Sequence, residues 1–229
     1  MTTPVELTRH FDRELGNLRQ DLLRMAALAE TAVGKSVESV TNRDSDRARE
    51  VIIDDITLNR MELAIEEQAF KLLALRQPVA TDLRLTVAAM RIATELERIG
   101  DQAVNIAERA LELNSRPPLK LSIDIKLMAD MALGMVRTSI DAFVNQDPNL
   151  AIQVCQRDVE VDILDDEYVQ NILGCMIKES RWVIRLHHFI IIVRNLERIA
   201  DLATNIAEDI VFIVEGRVIK HRCEEWMQA

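Results

Sequence analysis

The sequence predicts an all-α protein made of two tandem three-helix bundles, six long helices in all, related by internal duplication. Three observations support this prediction. Gly and Pro, which interrupt helices, number only six and five among 229 residues. Aromatic residues make up 3% of the chain, so the core must consist of Leu, Ile, Val, Ala and Met, a composition typical of long helices rather than strands. Finally, a thirteen-residue segment occurs twice, one hundred positions apart.

The first three helices are predicted from apolar periodicity and from breaking residues. Apolar residues in the N-terminal segment recur with 4-3-4-3 spacing, which predicts a helix from about residue 5 to about residue 41. Asp44 or Ser45 is expected to cap a second helix that continues to about residue 75. The chain breaks at Pro78, and a third helix must end before Pro117-Pro118, which cannot continue it.

The second half repeats this plan. A fourth helix is expected over about residues 122–145, and Asp147 followed by Pro148 then gives an N-cap residue with Pro at the first helical position. The fifth helix should run from there to about residue 177, and the sixth follows Ser180. The predicted organisation is a first repeat over 1–116, a second repeat over 119–216 and a C-terminal tail over 217–229.

Charge and apolar runs limit the location and the partners. A formal charge of −10 argues against a nucleic-acid partner and against electrostatic adsorption to an anionic membrane. The N-terminal segment lacks the apolar stretch of a signal peptide, and the longest strongly apolar run, Phe189–Val193, is too short to cross a bilayer. Three cysteines without a CxxC pair indicate a reducing compartment. We therefore expect a soluble, cytoplasmic protein.

The repeated segment carries a ladder of oxygen-bearing side chains. LERIGDQAVNIAE begins at Leu96 and LERIADLATNIAE at Leu196, and ten of the thirteen positions are identical. Each copy places a Glu, an Asp and an Asn four residues apart, which stacks them on one face of a helix. Relative to the apolar seam of each helix, this face should point outward. The ladders are Glu97, Asp101 and Asn105 in the first half and Glu197, Asp201 and Asn205 in the second.

A second pair of ladders is available on the preceding helices. With an offset of 103 positions, the second and fifth helices align, and both carry oxygen ligands at matching positions. Such a row is usually a solvated surface, but like charges four residues apart destabilise a helix unless something neutralises them. A cation between neighbouring ladders would do so, and all-oxygen ligands favour Mg, Ca, Mn or ferric iron. Because Asn59 replaces a carboxylate, the first-half site should bind cations more weakly. These ladders are Asp55, Asn59 and Glu62, and Asp158, Asp162 and Asp165.

Motifs for catalysis are absent from the sequence. It contains no Gly-rich phosphate loop, no GxSxG and no HExxH, and the motif helices carry no ExxH pair of the kind found in di-iron bundles. We therefore expect a protein that is not an enzyme. A metal-dependent phosphoester hydrolase remains an alternative, since paired carboxylates can support acid–base chemistry.

The two L-E-R-I-(G/A)-D-x-x-x-N-I segments, each closing a three-helix repeat, resemble the PhoU family, as does the stretch from Arg76 to Arg84 that leads into the third helix. The resemblance implies a negative regulator of the phosphate-starvation response and an accessory protein of the phosphate-specific ABC transporter. Its expected partners are the transporter ATPase and a phosphate-sensing membrane histidine kinase, which it keeps inactive at high phosphate. Membrane association would come only through these partners. The resemblance also implies a homodimer.

The resemblance further implies surface clusters of several metal ions. Carried onto this chain, the family's E(D)xxxD motifs give Glu97 and Asp101 with Asp55 in the first half. The corresponding ligands in the second half are Asp158, Asp162, Glu197 and Asp201. Multinuclear iron is the expected cofactor, with zinc, magnesium and calcium as alternatives. The competing function is metal binding or buffering in its own right.

Overall fold

The structure, a computed structural model, describes residues 4–119 and 121–217. Within them the chain forms six long α-helices, one short 3₁₀ turn and no strand, which confirms the all-α prediction. From residue 218 onward the predicted C-terminal tail lies outside the described residues. The helices are α1 (Pro4–Thr41), α2 (Ser45–Arg76), α3 (Ala80–Asn114), α4 (Ile125–Asn145), α5 (Pro148–Lys178) and α6 (Val183–Glu215), with the 3₁₀ turn at Ser180–Trp182.

Aspartate side chains cap the N-termini of three helices, α2, α4 and α5. The Asp44 carboxylate accepts hydrogen bonds from two free backbone N–H groups at the start of α2, at 3.1 and 3.0 Å. Asp147 caps α5 by accepting from the backbone N–H of Asn149 at 2.9 Å, and Pro148 occupies the first turn. α4 begins at Ile125, three residues later than predicted, because Asp124 caps it by accepting from the backbone of Leu127.

The helices pack as two triplets that share one core. Their contacts place α2, α3, α6 and α5 side by side in that order, with α1 against α2 and α3 and α4 against α5 and α6. α3 packs along α6 as extensively as it packs along α1, and the buried apolar residues of both triplets form a single cluster. The two predicted bundles therefore form one body, with α3 and α6 at its centre.

α3 and α6 run antiparallel. Arg91 on α3 pairs with Asp209 on α6 at 3.0 Å, and Glu95 accepts a hydrogen bond from Asn205 at 3.3 Å, so residue numbers rise along one helix as they fall along the other. Because the two halves are duplicated, this arrangement relates them by an approximate two-fold axis at the centre of the molecule. None of the helices in the described residues has a segment that could cross a membrane.

Candidate metal centres

The predicted ladders line two grooves, one between α2 and α3 and one between α5 and α6. The expectation that the carboxylates face solvent holds for Asp101, which is exposed. Glu97 and Glu197 are instead partly buried, and carboxylates of the neighbouring helix, α2 for Glu97 and α5 for Glu197, act on each of them. Burial of a carboxylate favours its protonated form, so the electrostatics of the grooves follow from this packing.

The α2–α3 groove brings four carboxylates into electrostatic contact. Burial, together with the charges of Asp101, Glu62 and Asp55, raises the pKa of Glu97 to about 7. Burial and the charge of Asp101 also raise the pKa of Asp55, against a smaller lowering by its hydrogen bond from Asn59. We call Asp55, Asn59, Glu62, Glu97 and Asp101 the first cluster.

Hydrogen bonds satisfy only part of the first cluster. The Asn59 amide donates to Oδ2 of Asp55 at 3.2 Å, and the Thr94 hydroxyl donates to Glu62 at 2.9 Å. Oδ1 of Asp55 and Oδ1 of Asn59 are buried without any hydrogen-bond partner. Two neighbouring buried oxygens that lack a donor are an unfavourable arrangement unless a water molecule or a cation reaches them.

The α5–α6 groove repeats this arrangement with more carboxylates. Burial raises the pKa of Glu197 to about 7, with further contributions from Asp201, Asp165 and Asp162. Burial likewise raises the pKa of Asp158 to about 6, assisted by the charges of Asp162 and Asp201. Oδ1 of Asp158 is also buried without a partner. We call Asp158, Asp162, Asp165, Glu197 and Asp201 the second cluster.

Asp165 differs from the other predicted ligands because it is 1% exposed and already ion-paired. Arg194 on α6 donates to Oδ2 of Asp165, whereas Oδ1 has no partner. Sequence reasoning missed Arg194. By the repeat offsets Asp165 corresponds to Glu62 and Arg194 to Thr94, so each ladder ends on a donor at the same position of α3 or α6. The first repeat has Thr94 beside the motif where the second repeat has Arg194, and this difference in the sequence could have revealed the donor.

Arg194 changes the comparison of net negative charge between the two clusters. The first cluster has four carboxylates and the Asn59 amide, hence four formal negative charges when ionised. The second has five carboxylates, but the Arg194 guanidinium offsets Asp165 and Arg198 pairs with Asp201 at 2.8 Å, which leaves three. The weaker cation binding expected for the first cluster because of Asn59 remains a prediction. Arg194 acts in the opposite direction, because its positive charge beside Asp165 disfavours a cation at the second cluster.

The side chains of the two ladder asparagines, Asn105 and Asn205, have different surroundings. Asn205 donates from its side chain to Glu95 across the α3–α6 junction, so its amide is turned toward α3. Asn105 is exposed on α3. Neither amide hydrogen-bonds to a carboxylate of the clusters, so the structure brings the predicted carboxylates together more closely than it brings the predicted amides.

The ligand chemistry of both clusters suits hard cations. Six buried side-chain polar atoms in the described residues lack a hydrogen-bond partner, and four of them belong to the clusters. As the side chains stand, no three Asp, Glu, His or Cys groups in this part of the chain converge closely enough to hold one ion. The donors are all oxygens, which suits magnesium, calcium, manganese or ferric iron better than zinc, whose structural sites favour sulfur and nitrogen. A bound cation would supply the charge that the unpartnered oxygens lack.

The fold and these sites define a class of protein: an internally duplicated helical protein with matching carboxylate clusters on its two halves. The family model described as PhoU domain matches residues 22–110 and 125–210, one match in each helical triplet. The chain belongs to the PhoU family.

Relatives and solved structures agree with this assignment. The Caulobacter vibrioides protein named phosphate-specific transport system accessory protein PhoU homolog is 38% identical over 209 residues, 91% of each chain. The homolog of the same name from Aquifex aeolicus is 36% identical over 92% of this chain and 95% of its own. PhoU from Pseudomonas aeruginosa superposes with a TM-score of 0.87 at 35% identity, over 90% of this chain and 100% of that one. The phosphate transport system regulatory protein PhoU from Streptococcus pneumoniae gives 0.84 at 28%, over 91% and 98%.

Proposed function

We propose that this protein is an accessory protein of a phosphate-specific transport system and a negative regulator of the phosphate-starvation response. The observation that carries the proposal is family membership over both repeats, with relatives of nearly equal length that bear accessory-protein names. In this role it binds the ATPase of the phosphate ABC transporter and a phosphate-sensing membrane histidine kinase, and it keeps the kinase inactive when phosphate is plentiful.

The same proposal places the protein in the cytoplasm, as a homodimer that meets the membrane only through these partners. It acts by binding rather than by catalysis. Support for a binding role comes from the relatives, whose names describe accessory and regulatory proteins. The absence of a membrane-spanning helix in the described residues is compatible with this placement.

We further propose that the two clusters hold metal ions, with multinuclear iron as the expected occupant. Support comes from the unpartnered buried oxygens and from the carboxylates grouped around Glu97 and Glu197, where burial and the neighbouring negative charges raise both pKa values to about 7. When bound, the ions would neutralise the carboxylates and join α2 to α3 and α5 to α6. The residues that would hold them are Asp55, Glu62, Glu97 and Asp101 in the first cluster, and Asp158, Asp162, Glu197 and Asp201 in the second.

A deletion strain tests the regulatory function. Removal of the gene should cause expression of phosphate-starvation genes in high-phosphate medium, and the wild-type gene supplied in trans should restore repression. If the starvation genes stay repressed in the deletion strain, the regulatory proposal is wrong. Metal buffering is then the remaining function, and sensitivity of the same strain to excess iron would be the measurement for it.

Elemental analysis tests the metal sites. Protein purified without added metal should contain iron, and the Asp158→Asn/Asp201→Asn variant should lose about half of it if the two clusters contribute equally. Glu160→Gln is the matched control, because Glu160 is an exposed carboxylate on α5 outside the cluster. Equal metal content in all three proteins would refute the second cluster as a metal site. Phosphoester turnover that the double substitution abolishes would instead support the hydrolase alternative.

A further inference from the structure

An apolar stripe runs along the outer surface of α2, uncovered by any other part of the described chain. Its four large apolar residues, Ile53, Ile56, Leu63 and Phe70, are between 53% and 70% exposed. With Arg60 and Glu67 they follow 3-4-3-4-3 spacing, which is the seam of two helices packed along each other. We call these six residues the α2 stripe. Contiguous exposed apolar surface of this kind usually marks an interaction site.

Two opposite charges interrupt the α2 stripe. Arg60 is exposed and has no ion-pair partner among the described residues. Glu67, seven positions later, pairs within the described part of the chain only with Lys71 on its own helix, at 2.6 Å. Such exposed pairs between neighbouring turns contribute little, so both stripe charges are available to a partner.

We propose that the α2 stripe is the interface of a two-fold symmetric homodimer, in which α2 lies antiparallel against α2 of a second copy. This inference gives a surface to the homodimer of the proposed function and rests on it in that respect. A two-fold interface must be complementary to itself, because the same patch is used on both subunits. The α2 stripe meets this condition, which is why a second copy is the occupant that fits it.

The register of the pairing follows from helix geometry. With a rise of about 1.5 Å per residue, positions 60 and 67 lie about 5 Å on either side of the point midway between 63 and 64. A two-fold axis at that point brings Arg60 level with the partner's Glu67, and Glu67 level with the partner's Arg60. Leu63 then lies beside the partner's Leu63 at the axis, and Ile56 lies within one residue of the level of the partner's Phe70.

The corresponding face of α5 does not meet the condition. With the offset of 103, Ile163 and Gln170 stand where α2 has Arg60 and Glu67. Asp166, which is exposed, stands where α2 has Leu63. Antiparallel pairing of α5 with itself would therefore set two like charges against each other at the axis, which is destabilising. The duplication thus supplies a matched surface that should not dimerise.

The size of the surface sets the strength of the dimer. From residue 53 to residue 70 the stripe is about 27 Å long and about 10–12 Å wide, so it covers about 300 Å² per subunit. Stable interfaces cover about 800 Å² per partner. The dimer should consequently be weak and concentration-dependent, with a Kd in the micromolar range or above.

Analytical ultracentrifugation of the full chain and of charge variants tests the interface. Sedimentation between about 1 and about 500 µM should show a reversible monomer–dimer equilibrium. Arg60→Glu and Glu67→Arg should each raise the Kd at least about tenfold, because each creates two like-charge contacts across the axis. Arg60→Glu combined with Glu67→Arg should restore the Kd to within about threefold of wild type, since the swapped charges again face each other.

Two further variants complete the design. Leu63→Glu should abolish the dimer, whereas Ile163→Glu on α5 should leave the Kd unchanged. All the altered positions are exposed, and circular dichroism should show an unchanged fold. A dimer that the charge swap does not restore, or that Ile163→Glu disrupts, would refute the α2 interface while leaving the homodimer of the proposed function intact. A monomer at every concentration would refute both.

Discussion

The contact between Gly100 on α3 and Leu58 on α2 offers a test of how the two helices approach each other at the first cluster. A Cβ atom added at Gly100 would lie 2.6 Å from Cδ1 of Leu58 and 3.4 Å from Oδ1 of Asp55. At the corresponding positions of the second repeat the sequence has Ala200 and Val161, both fully buried. The second repeat thus carries the larger residue on the α6 side and the smaller one on the α5 side. The variants Gly100→Ala, Leu58→Val and their combination should reproduce that exchange.

The expected energies follow from this geometry. A contact of 2.6 Å must open by about 1 Å, and overpacking of this kind costs about 1–3 kcal/mol. The cost should be near 1 kcal/mol, because Leu58 borders a groove of about 300 Å³ into which its end can move. Ala is favoured over Gly inside a helix by about 1 kcal/mol, so Gly100→Ala alone should be close to neutral. Leu58→Val alone removes a buried methylene and should cost about 1 kcal/mol.

The double variant should be at least as stable as wild type, because Val lacks the clashing atom and the added methyl group fills its space. The double-mutant cycle should therefore show a favourable coupling of about 1 kcal/mol or more, measured by urea unfolding monitored by circular dichroism. Gly174→Ala on α5 is the control for helix propensity, since a Cβ there would meet nothing within 4 Å. Strictly additive effects of Gly100→Ala and Leu58→Val would refute the proposed complementarity.

The remaining predictions concern charge and capping. Glu97 and Glu197 have pKa values raised from 4.5 to about 7 in the folded protein, so folding takes up protons in that interval. Their contribution to the stability of the metal-free protein should therefore fall as the pH rises from about 4.5 to 7. Glu97→Gln/Glu197→Gln should flatten the Tm-versus-pH profile relative to wild type, and parallel profiles would contradict the assignment. Arg194→Ala should destabilise by about 2 kcal/mol in urea unfolding, because it leaves Asp165 buried without its partner; Asp165→Asn in the same background should recover part of the loss. Arg43→Ala should cost about 1–2 kcal/mol in the same assay, because the Arg43 guanidinium donates to three backbone carbonyls at the end of α3; an unchanged midpoint would show that water replaces those bonds.

Local features of the fold were predictable from the sequence. Asp44 and the Asp147-Pro148 pair cap α2 and α5 as expected, because N-cap chemistry depends only on neighbouring residues. The duplicated motif likewise predicted that carboxylates on adjacent helices would meet. Helix periodicity fixes which face a residue lies on, and the repeat gives two independent copies of the same pattern.

Features that depend on packing between helices were not predictable. The packing of the two bundles as one body depends on the fit of α3 against α6, which periodicity leaves open. The burial of Asp165 and its pairing with Arg194 depend on how closely α5 and α6 approach. The same holds for the raised pKa of Glu97, because Asp55 and Glu62, which contribute to it, lie on the neighbouring helix α2. Sequence spacing gives directions on one helix but not distances between two.

The antiparallel junction of α3 and α6 makes the molecule comparable to a symmetric dimer whose two subunits have been joined into one chain. The loop after α3 and before α4 keeps the halves together at a high effective concentration, so their junction needs little affinity of its own. In a dimer of identical chains every substitution occurs on both sides of the axis. A joined chain can instead place Thr94 in one half and Arg194 in the other, so each cluster can be adjusted separately. Two-fold architecture is thereby combined with two chemically distinct sites.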